Sequence, residues 1–329
     1  MRARIPALVA PFTMFAALTL TPPPAALASC GSESCPIDHA ERWDASSLSL
    51  ELTQQYIDQN QPRVGTHDAA VGAIPSPEDE VRTVNRITTA RAAYRPKGGP
   101  WSFALALPFV SRTHEHIHNG TGGPEYQRWG YDGVSDLQAL AIRQFGGTDG
   151  NPYAARYYAS AGVKAPTGKR NVAEVDGDQP EPPARPGTGS WDFLAALGAE
   201  WRFGGGVGGV GAIPLRASLN GRVNGRGTER YRVGSEVTAH VGTEVPLVTD
   251  VAALFQTNLR VRAKDDVGNT DSEASNTGNT AVYASPGLQW GLGRTTIAAI
   301  VQIPVYQRVN GIQLVSKSNL YFSVTHAIL

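Results

Sequence analysis

Apolar and polar side chains alternate along the chain from about residue 46 to its end, in about twelve separate stretches. Successive side chains of a β-strand point to opposite faces, so each stretch predicts a strand with one apolar and one polar face. The clearest stretch, 101–109, places large apolar residues at odd positions and small residues at even ones. The predicted strands are 46–58, 80–94, 101–109, 133–145, 153–164, 190–203, 215–223, 233–245, 253–264, 282–290, 296–308 and 316–329.

The polar faces of these predicted strands carry charges of both signs. A soluble β-sandwich or lipocalin-like barrel would have to bury these charges together in its core, which is costly. In a membrane barrel the apolar face contacts lipid and the polar face surrounds a lumen. The pattern therefore favours an all-β fold, a transmembrane antiparallel up-and-down β-barrel of about twelve strands. The predicted lumen-facing charges are Arg156, Arg202, Arg216, Arg222, Arg260, Arg262, Lys264, Asp192, Glu200, Glu236 and Glu244.

The gaps between the strands predict the orientation of the barrel. Short gaps alternate with long ones, as in outer-membrane barrels with short periplasmic turns and longer outer loops, so both chain ends are expected on the periplasmic side. The alternation within 133–145 does not show which side chains face lipid, because either Leu137 with Ala139 or Leu140 with Ile142 could do so. The short gaps are 95–100, 146–151, 204–208, 246–249 and 291–294.

The amino terminus has the layout of a cleavable secretory signal, with Arg2 and Arg4 before an apolar run and small residues up to Ala28. Cys30 and Cys35 follow, and an oxidising periplasm would let them form a disulfide. Cys30 could instead be the acylated first residue of a lipoprotein, or the pair could bind a metal or act in redox chemistry. The predicted organisation is a signal peptide at 1–28, a periplasmic N-terminal segment at 29–45 and the barrel at 46–329.

Several segments resemble bacterial outer-membrane proteins described as transporters and related to the family labelled as the MetA pathway of phenol degradation. The resemblance spans most of the mature chain and includes a pair of cysteines near its start. It implies a barrel in the outer membrane of a Gram-negative cell, inserted by the outer-membrane machinery. The segments that carry it are Tyr56-Ile57-Asp58-Gln59-Asn60-Gln61-Pro62-Arg63, Glu80-Val81-Arg82-Thr83-Val84-Asn85-Arg86, Leu107-Pro108-Phe109, Gly133-Val134-Ser135-Asp136 and Gly162-Val163-Lys164-Ala165-Pro166-Thr167-Gly168.

Composition and motifs exclude several classes of function. With 41% hydrophobic residues, 18% charged residues and a net charge of +0, the chain is neither disordered nor a basic nucleic-acid binder. It contains no Gly-x-Ser-x-Gly and no His-Glu-x-x-His sequence, so nothing indicates an enzyme.

Three histidines alternate in a stretch that we expect in the second outer loop. An extended backbone would place His114, His116 and His118 on one face, and neutral imidazole is a ligand for Cu, Zn or Ni. Histidines in a solvated loop without a metal are the alternative, because three ligands do not close a tetrahedral set.

Two functions are compatible with this sequence. The first is a monomeric porin-like channel that admits a small solute, with the inward charges setting its selectivity. The second is a non-conducting surface protein whose outer loops bind a transition metal or a partner. A twelve-stranded barrel lies between barrels filled by side chains and those with an aqueous channel, so its width does not decide between an open lumen and one closed by ion pairs.

Overall fold

The structure is a computed structural model that describes residues 48–74, 78–97, 99–148, 151–174, 177, 179–204, 213–270 and 274–328. The predictions of a signal peptide, of a periplasmic N-terminal segment and of a Cys30–Cys35 disulfide lie outside these residues. Within the described ranges, no helix is long and apolar enough to cross a membrane.

The described chain folds into one antiparallel sheet with three short 3-10 turns, at Pro182–Ala184, Thr228–Arg230 and Ala274–Asn276. The strands are β1 (Leu48–Val64), β2 (His67–Asp68), β3 (Glu78–Tyr94), β4 (Trp101–Gly120), β5 (Gly123–Val134), β6 (Gln138–Thr148), β7 (Asn151–Lys164), β8 (Asp192–Phe203), β9 (Ile213–Asn224), β10 (Glu236–Val248), β11 (Val251–Arg262), β12 (Asn279–Leu292), β13 (Thr295–Val309) and β14 (Ile312–Ala327).

The sheet closes on itself into a barrel. Each barrel strand pairs with its sequence neighbours, and β14 pairs with β1 from Ser49 opposite Ala327 to Val64 opposite Ile312. Closure leaves no unpaired strand edge in the wall, as a membrane-spanning sheet requires. The barrel contains twelve strands, because β2 lies beside β1 and β5 pairs only with β4. The predicted all-β fold and strand number are confirmed.

The outward side chains of the barrel strands form an apolar belt. On β8 and β9, Phe193, Leu197 and Leu219 are more than half exposed, whereas Asp192 and Glu200 on the inner face are buried. Soluble proteins rarely expose contiguous apolar patches larger than a few hundred Å². The belt is therefore a surface for lipid. Trp191, just before β8, and Phe203, at the end of β8, mark its two rims, where aromatic girdles form. Other exposed members are Leu52, Leu105, Val241, Phe255, Leu288, Val301 and Leu320.

The structure sets two registers that the sequence leaves open or misplaces. In β6, Ile142 is 3% exposed and faces inward with Leu140, so Ala139 and Ala141 face outward. In β13, an irregularity opposite Val282 and Tyr283 skips one residue of the pairing. A bulge of this kind turns every later residue of the strand to the opposite face of the sheet. Strict alternation along the predicted strand 296–308 would place Tyr306 and Arg308 on the lumen face with Gln302, but beyond the bulge both face outward.

The connections differ in length at the two ends of the barrel. At the end with the chain termini, β10 and β11 are joined at 249–250 and β12 and β13 at 293–294. The β7–β8 connection lies at the opposite end, which is the predicted cell-exterior end and is called the outer end below, and runs from 165 to 191. The longer gap predicted at 309–315, between the last two strands, is wrong. β13 and β14 are joined by only Asn310 and Gly311, because both strands extend beyond their predicted limits. Gly311 has φ of +56°, a left-handed conformation that glycine adopts without strain.

The longer outer connections are joined to each other. We call the described residues of the β5–β6, β7–β8, β9–β10 and β11–β12 connections the outer collar. Backbone hydrogen bonds link neighbouring members of the collar, so its connections are ordered by one another. These bonds run from Ala165 N to Leu137 O (2.8 Å), Thr228 N to Thr188 O (3.1 Å) and Asn269 N to Glu229 O (2.9 Å).

Candidate functional site

An ion-pair group lies inside the barrel near the end that carries the chain termini. We call it the Glu200 cluster: Arg156 on β7, Glu200 and Arg202 on β8, Arg216 on β9 and Glu244 on β10. Glu200 stands opposite Arg156 and Arg216 in the strand register. Its two oxygens accept hydrogen bonds from Nε of Arg202 and Nε of Arg216, both at 2.8 Å. Arg216 Nη1 also lies 3.3 Å from Glu244 Oε2. The structure thus brings together five residues that the sequence places on the inner face.

A second ion-pair group lies nearer the outer end. Glu236 on β10 accepts a hydrogen bond from Nε of Arg260 on β11 at 2.6 Å, and Arg222 on β9 approaches it to 4.0 Å. The Arg260 side chain is only 2% exposed. A buried guanidinium is tolerated where a carboxylate neutralises it.

Two further predicted inward charges, Arg262 at the end of β11 and Lys264 just beyond it, lie outside these two ion-pair groups. Arg262 Nη2 contacts both carboxylate oxygens of Asp265, at 2.7 and 2.9 Å, and the Tyr231 hydroxyl donates to the same carboxylate at 2.6 Å. Burial, together with the charges of Asp265 and Glu181, raises the pKa of Tyr231, so the hydroxyl keeps its proton for this bond. Lys264, predicted on the inner face, lies beyond the end of β11 and is exposed in the collar. The strand ends at Arg262, so its alternation does not extend to Lys264.

Lys164, the last residue of β7, holds the collar at the rim. Its Nζ lies 2.5 Å from Asp136 Oδ2 and 3.1 Å from Asp192 Oδ2. It also donates to Thr188 Oγ1 at 2.6 Å. All three charged side chains are buried, so this one ammonium joins the β5–β6 connection, the β7–β8 connection and β8.

The wall from β10 to β14 is packed on its inner side by amide and hydroxyl groups. Asn258 is fully buried and lies within hydrogen-bond distance of His240 Nδ1 (2.8 Å), Ser285 Oγ (2.6 Å) and Gln302 Nε2 (3.5 Å). Asn319 Nδ2 donates to Gln302 Oε1 at 2.9 Å. Because these polar groups bond to each other, this side of the lumen is filled by protein rather than by water.

The inner face from β7 to β9 is more open. Here Tyr158, Ser160, Ala196 and Asn220 are only half-buried. Tyr158 stands opposite Gly198 on β8, and a Cβ atom at Gly198 would lie 2.0 Å from the Tyr158 ring. The glycine therefore lets the ring lie against the wall. The lumen is asymmetric, with a packed side and an accessible side, and sequence alternation alone does not distinguish the two.

A segment of the β7–β8 connection, residues 179–190, is largely buried at the outer end. Arg112 on β4 donates from Nη1 to the carbonyl of Ala184 and, at 3.4 Å, to that of Pro183. Arg185, also buried, bonds to Glu229 of the β9–β10 connection at 2.8 Å. The segment thus connects the β4 wall to the β9–β10 connection. Arg112 and Arg185 were not predicted, because only the fold brings their partners close.

The three predicted metal ligands lie on β4 itself, so their assignment to an outer loop is wrong. His114 and His116 are buried on the inner face, beyond the apolar belt. His114 has Thr83 Oγ1 2.8 Å from Nδ1 and Glu80 Oε2 3.1 Å from Nε2, and His116 contacts Gln127. No group of three or more His, Cys, Asp or Glu that could hold a metal is found among the described residues. Copper, zinc or nickel binding stays a prediction.

Comparison with known proteins supports the fold. No protein-family model matches the chain, and the MetA-pathway resemblance is not confirmed. No curated protein matches significantly. An outer membrane channel from Pseudomonas putida F1 is similar, with 12% identity, a TM-score of 0.57, and coverage of 89% of this chain and 100% of that one. The transport unit of the Escherichia coli autotransporter AIDA-I has 9% identity, 89% and 93% coverage and a TM-score of 0.48.

The closed sheet, the apolar belt and the charged interior define a class. The chain is a twelve-stranded β-barrel of the outer membrane, with a polar lumen that is packed on one side and accessible on the other. At 12% identity, the similarity to the Pseudomonas channel concerns the fold alone.

Proposed function

We propose that this barrel is a porin-like channel through which a small solute diffuses passively across the outer membrane. The observation that carries the proposal is the accessible inner face of β7 to β9. Arg202 and Arg216 inside the barrel keep 26% and 27% of their side-chain surface exposed, so the ion pairs do not seal the lumen there. The passage is lined by Tyr158, Ser160, Leu194, Ala196 and Asn220, a mixture of polar and apolar groups suited to a small amphipathic solute.

The test is conductance of the purified, refolded full-length mature protein in a planar lipid bilayer. Discrete current steps are expected. A barrel that shows the heat-dependent gel mobility of a folded outer-membrane protein but never conducts would contradict the channel and favour the non-conducting surface protein.

Gly198→Leu is expected to narrow the passage. The new side chain cannot share the space of the Tyr158 ring, which must rotate away from the wall into the lumen. We expect single-channel conductance to fall by about half or more, since pore dimensions govern passage. The measurement is the amplitude of current steps in potassium chloride.

Two controls isolate this effect. Gly221→Leu places the same side chain on the neighbouring strand at an outward position with no atom within 4 Å, and should leave conductance unchanged. Adding Tyr158→Ala to Gly198→Leu should restore it. Unchanged conductance in Gly198→Leu would contradict a passage that runs past Tyr158, and equal loss in both glycine variants would mean that the effect does not come from Tyr158.

A further inference from the structure

Inside the barrel, several ion pairs present the arginine to water and bury the carboxylate. Glu200 is 1% exposed, whereas its partners Arg202 and Arg216 are 26% and 27% exposed. The pair of Arg91 and Glu51, on β3 and β1, repeats the asymmetry, at 21% and 10%. In these pairs a solute in the lumen therefore contacts more arginine surface than carboxylate surface.

The same asymmetry occurs toward the outer end, where Arg222 is 31% exposed and Glu236 13%. Arg260 is the exception, since it is 2% exposed against the same Glu236. Glu236 lies between the two arginines, so the Arg222 side chain is the part of this group that is most exposed.

Both carboxylates of the Glu200 cluster are hydrogen-bonded, although Glu244, unlike Glu200, is 25% exposed. Both oxygens of Glu200 accept arginine hydrogen bonds. Glu244 accepts from Arg216 Nη1 at 3.3 Å and from Gln289 Nε2 at 2.9 Å. The cluster contains three arginines and two glutamates, so its formal charge is one positive. Carboxylates that are already hydrogen-bonded offer little to a passing cation, whereas the exposed arginine surface attracts anions.

We infer that the Glu200 cluster is the selectivity site of the channel and favours small oxyanions, which carry a carboxylate or phosphate group. The planar guanidinium fork matches these groups in shape and charge better than it matches chloride. The buried Glu200 holds Arg202 and Arg216 in place and offsets their mutual repulsion, so both can face the lumen. This inference rests on the proposed channel function.

The reversal potential of the bilayer current under a potassium chloride gradient tests the inference. The native protein should prefer chloride over potassium. Arg202→Gln and Arg216→Gln should each reduce that preference roughly two- to fivefold, the range expected for a partly screened charge. Arg143→Gln is the matched control, because Arg143 lies on the outward face of β6 and is exposed. It should leave the reversal potential unchanged.

A second measurement concerns oxyanions directly. Potassium acetate and potassium phosphate, added in turn, should reduce the chloride current of the native protein and of Arg143→Gln. They should reduce it less in Arg202→Gln and Arg216→Gln. Whichever salt acts at the lower concentration identifies the preferred head group.

The possible outcomes distinguish failure of the anion site from failure of the channel function. A conducting barrel that prefers potassium, or whose selectivity survives both lumen substitutions, overturns the anion site and leaves the channel intact. A folded barrel that never conducts overturns both.

Discussion

Lys164→Met is expected to destabilise the barrel by about 3–5 kcal/mol, the cost of removing one partner from a buried ion pair. The substitution leaves the carboxylates of Asp136 and Asp192 buried without their common ammonium. Methionine has a similar length and packs well in irregular spaces, so the lost charge dominates the effect. The Thr188 hydroxyl loses its lysine donor as well.

Urea unfolding in detergent micelles, followed by gel mobility, measures this loss. Lys169→Met is the matched control, since Lys169 is exposed and its Nζ contacts only the Asp132 carbonyl, at 3.2 Å, among the described contacts. It should change the unfolding midpoint little. If Lys164→Met unfolds like the native protein, the collar is not held by this ammonium.

Leu197→Arg is expected to cost about 2–4 kcal/mol, the penalty for arginine on the lipid face near the bilayer midplane. Leu197 is 59% exposed in the middle of β8, and its cross-strand neighbours Ala159 and Leu219 are apolar, so no anion is at hand. The guanidinium would have to reach the headgroup region or draw water into the bilayer.

Ala196→Arg places the same side chain one position away, on the half-buried inner face. There it enters the lumen and meets water, so folding should be nearly normal. The measurement is the folded fraction of each variant after refolding into vesicles. Equal yields for the two variants would contradict the assignment of the two faces.

The strand alternation could be predicted wherever a strand has lipid on one side and lumen on the other. On β8 the apolar residues Phe193 and Leu197 and the inward Glu200 follow strict parity, because the two solvents differ so strongly. The same reasoning fails for β5 and the distal part of β4, including His114. Beyond the apolar belt both faces of this hairpin meet water or protein, so no alternation marks it as a strand.

Other features depend on distant partners. The β13 bulge reverses the faces of Tyr306 and Arg308 without a signal in β13 itself, because the extra residue is accommodated against β12. Tyr158 and Gly198 are brought together only by the register of β7 and β8. The sequence identifies many of the inward charges, but not which ion pairs bury the carboxylate and leave the arginine side chain exposed.

The central claim is that adjacent residues of each barrel strand face lipid and the aqueous lumen in turn. Cysteine labelling in vesicles tests it most directly, with Cys30 and Cys35 replaced by Ser and a single cysteine introduced as Leu219→Cys or Asn220→Cys on β9. A charged, membrane-impermeant maleimide should modify the cysteine at 220 and leave that at 219 unreacted. Labelling at 219 with protection at 220, or equal labelling of both, would contradict the account.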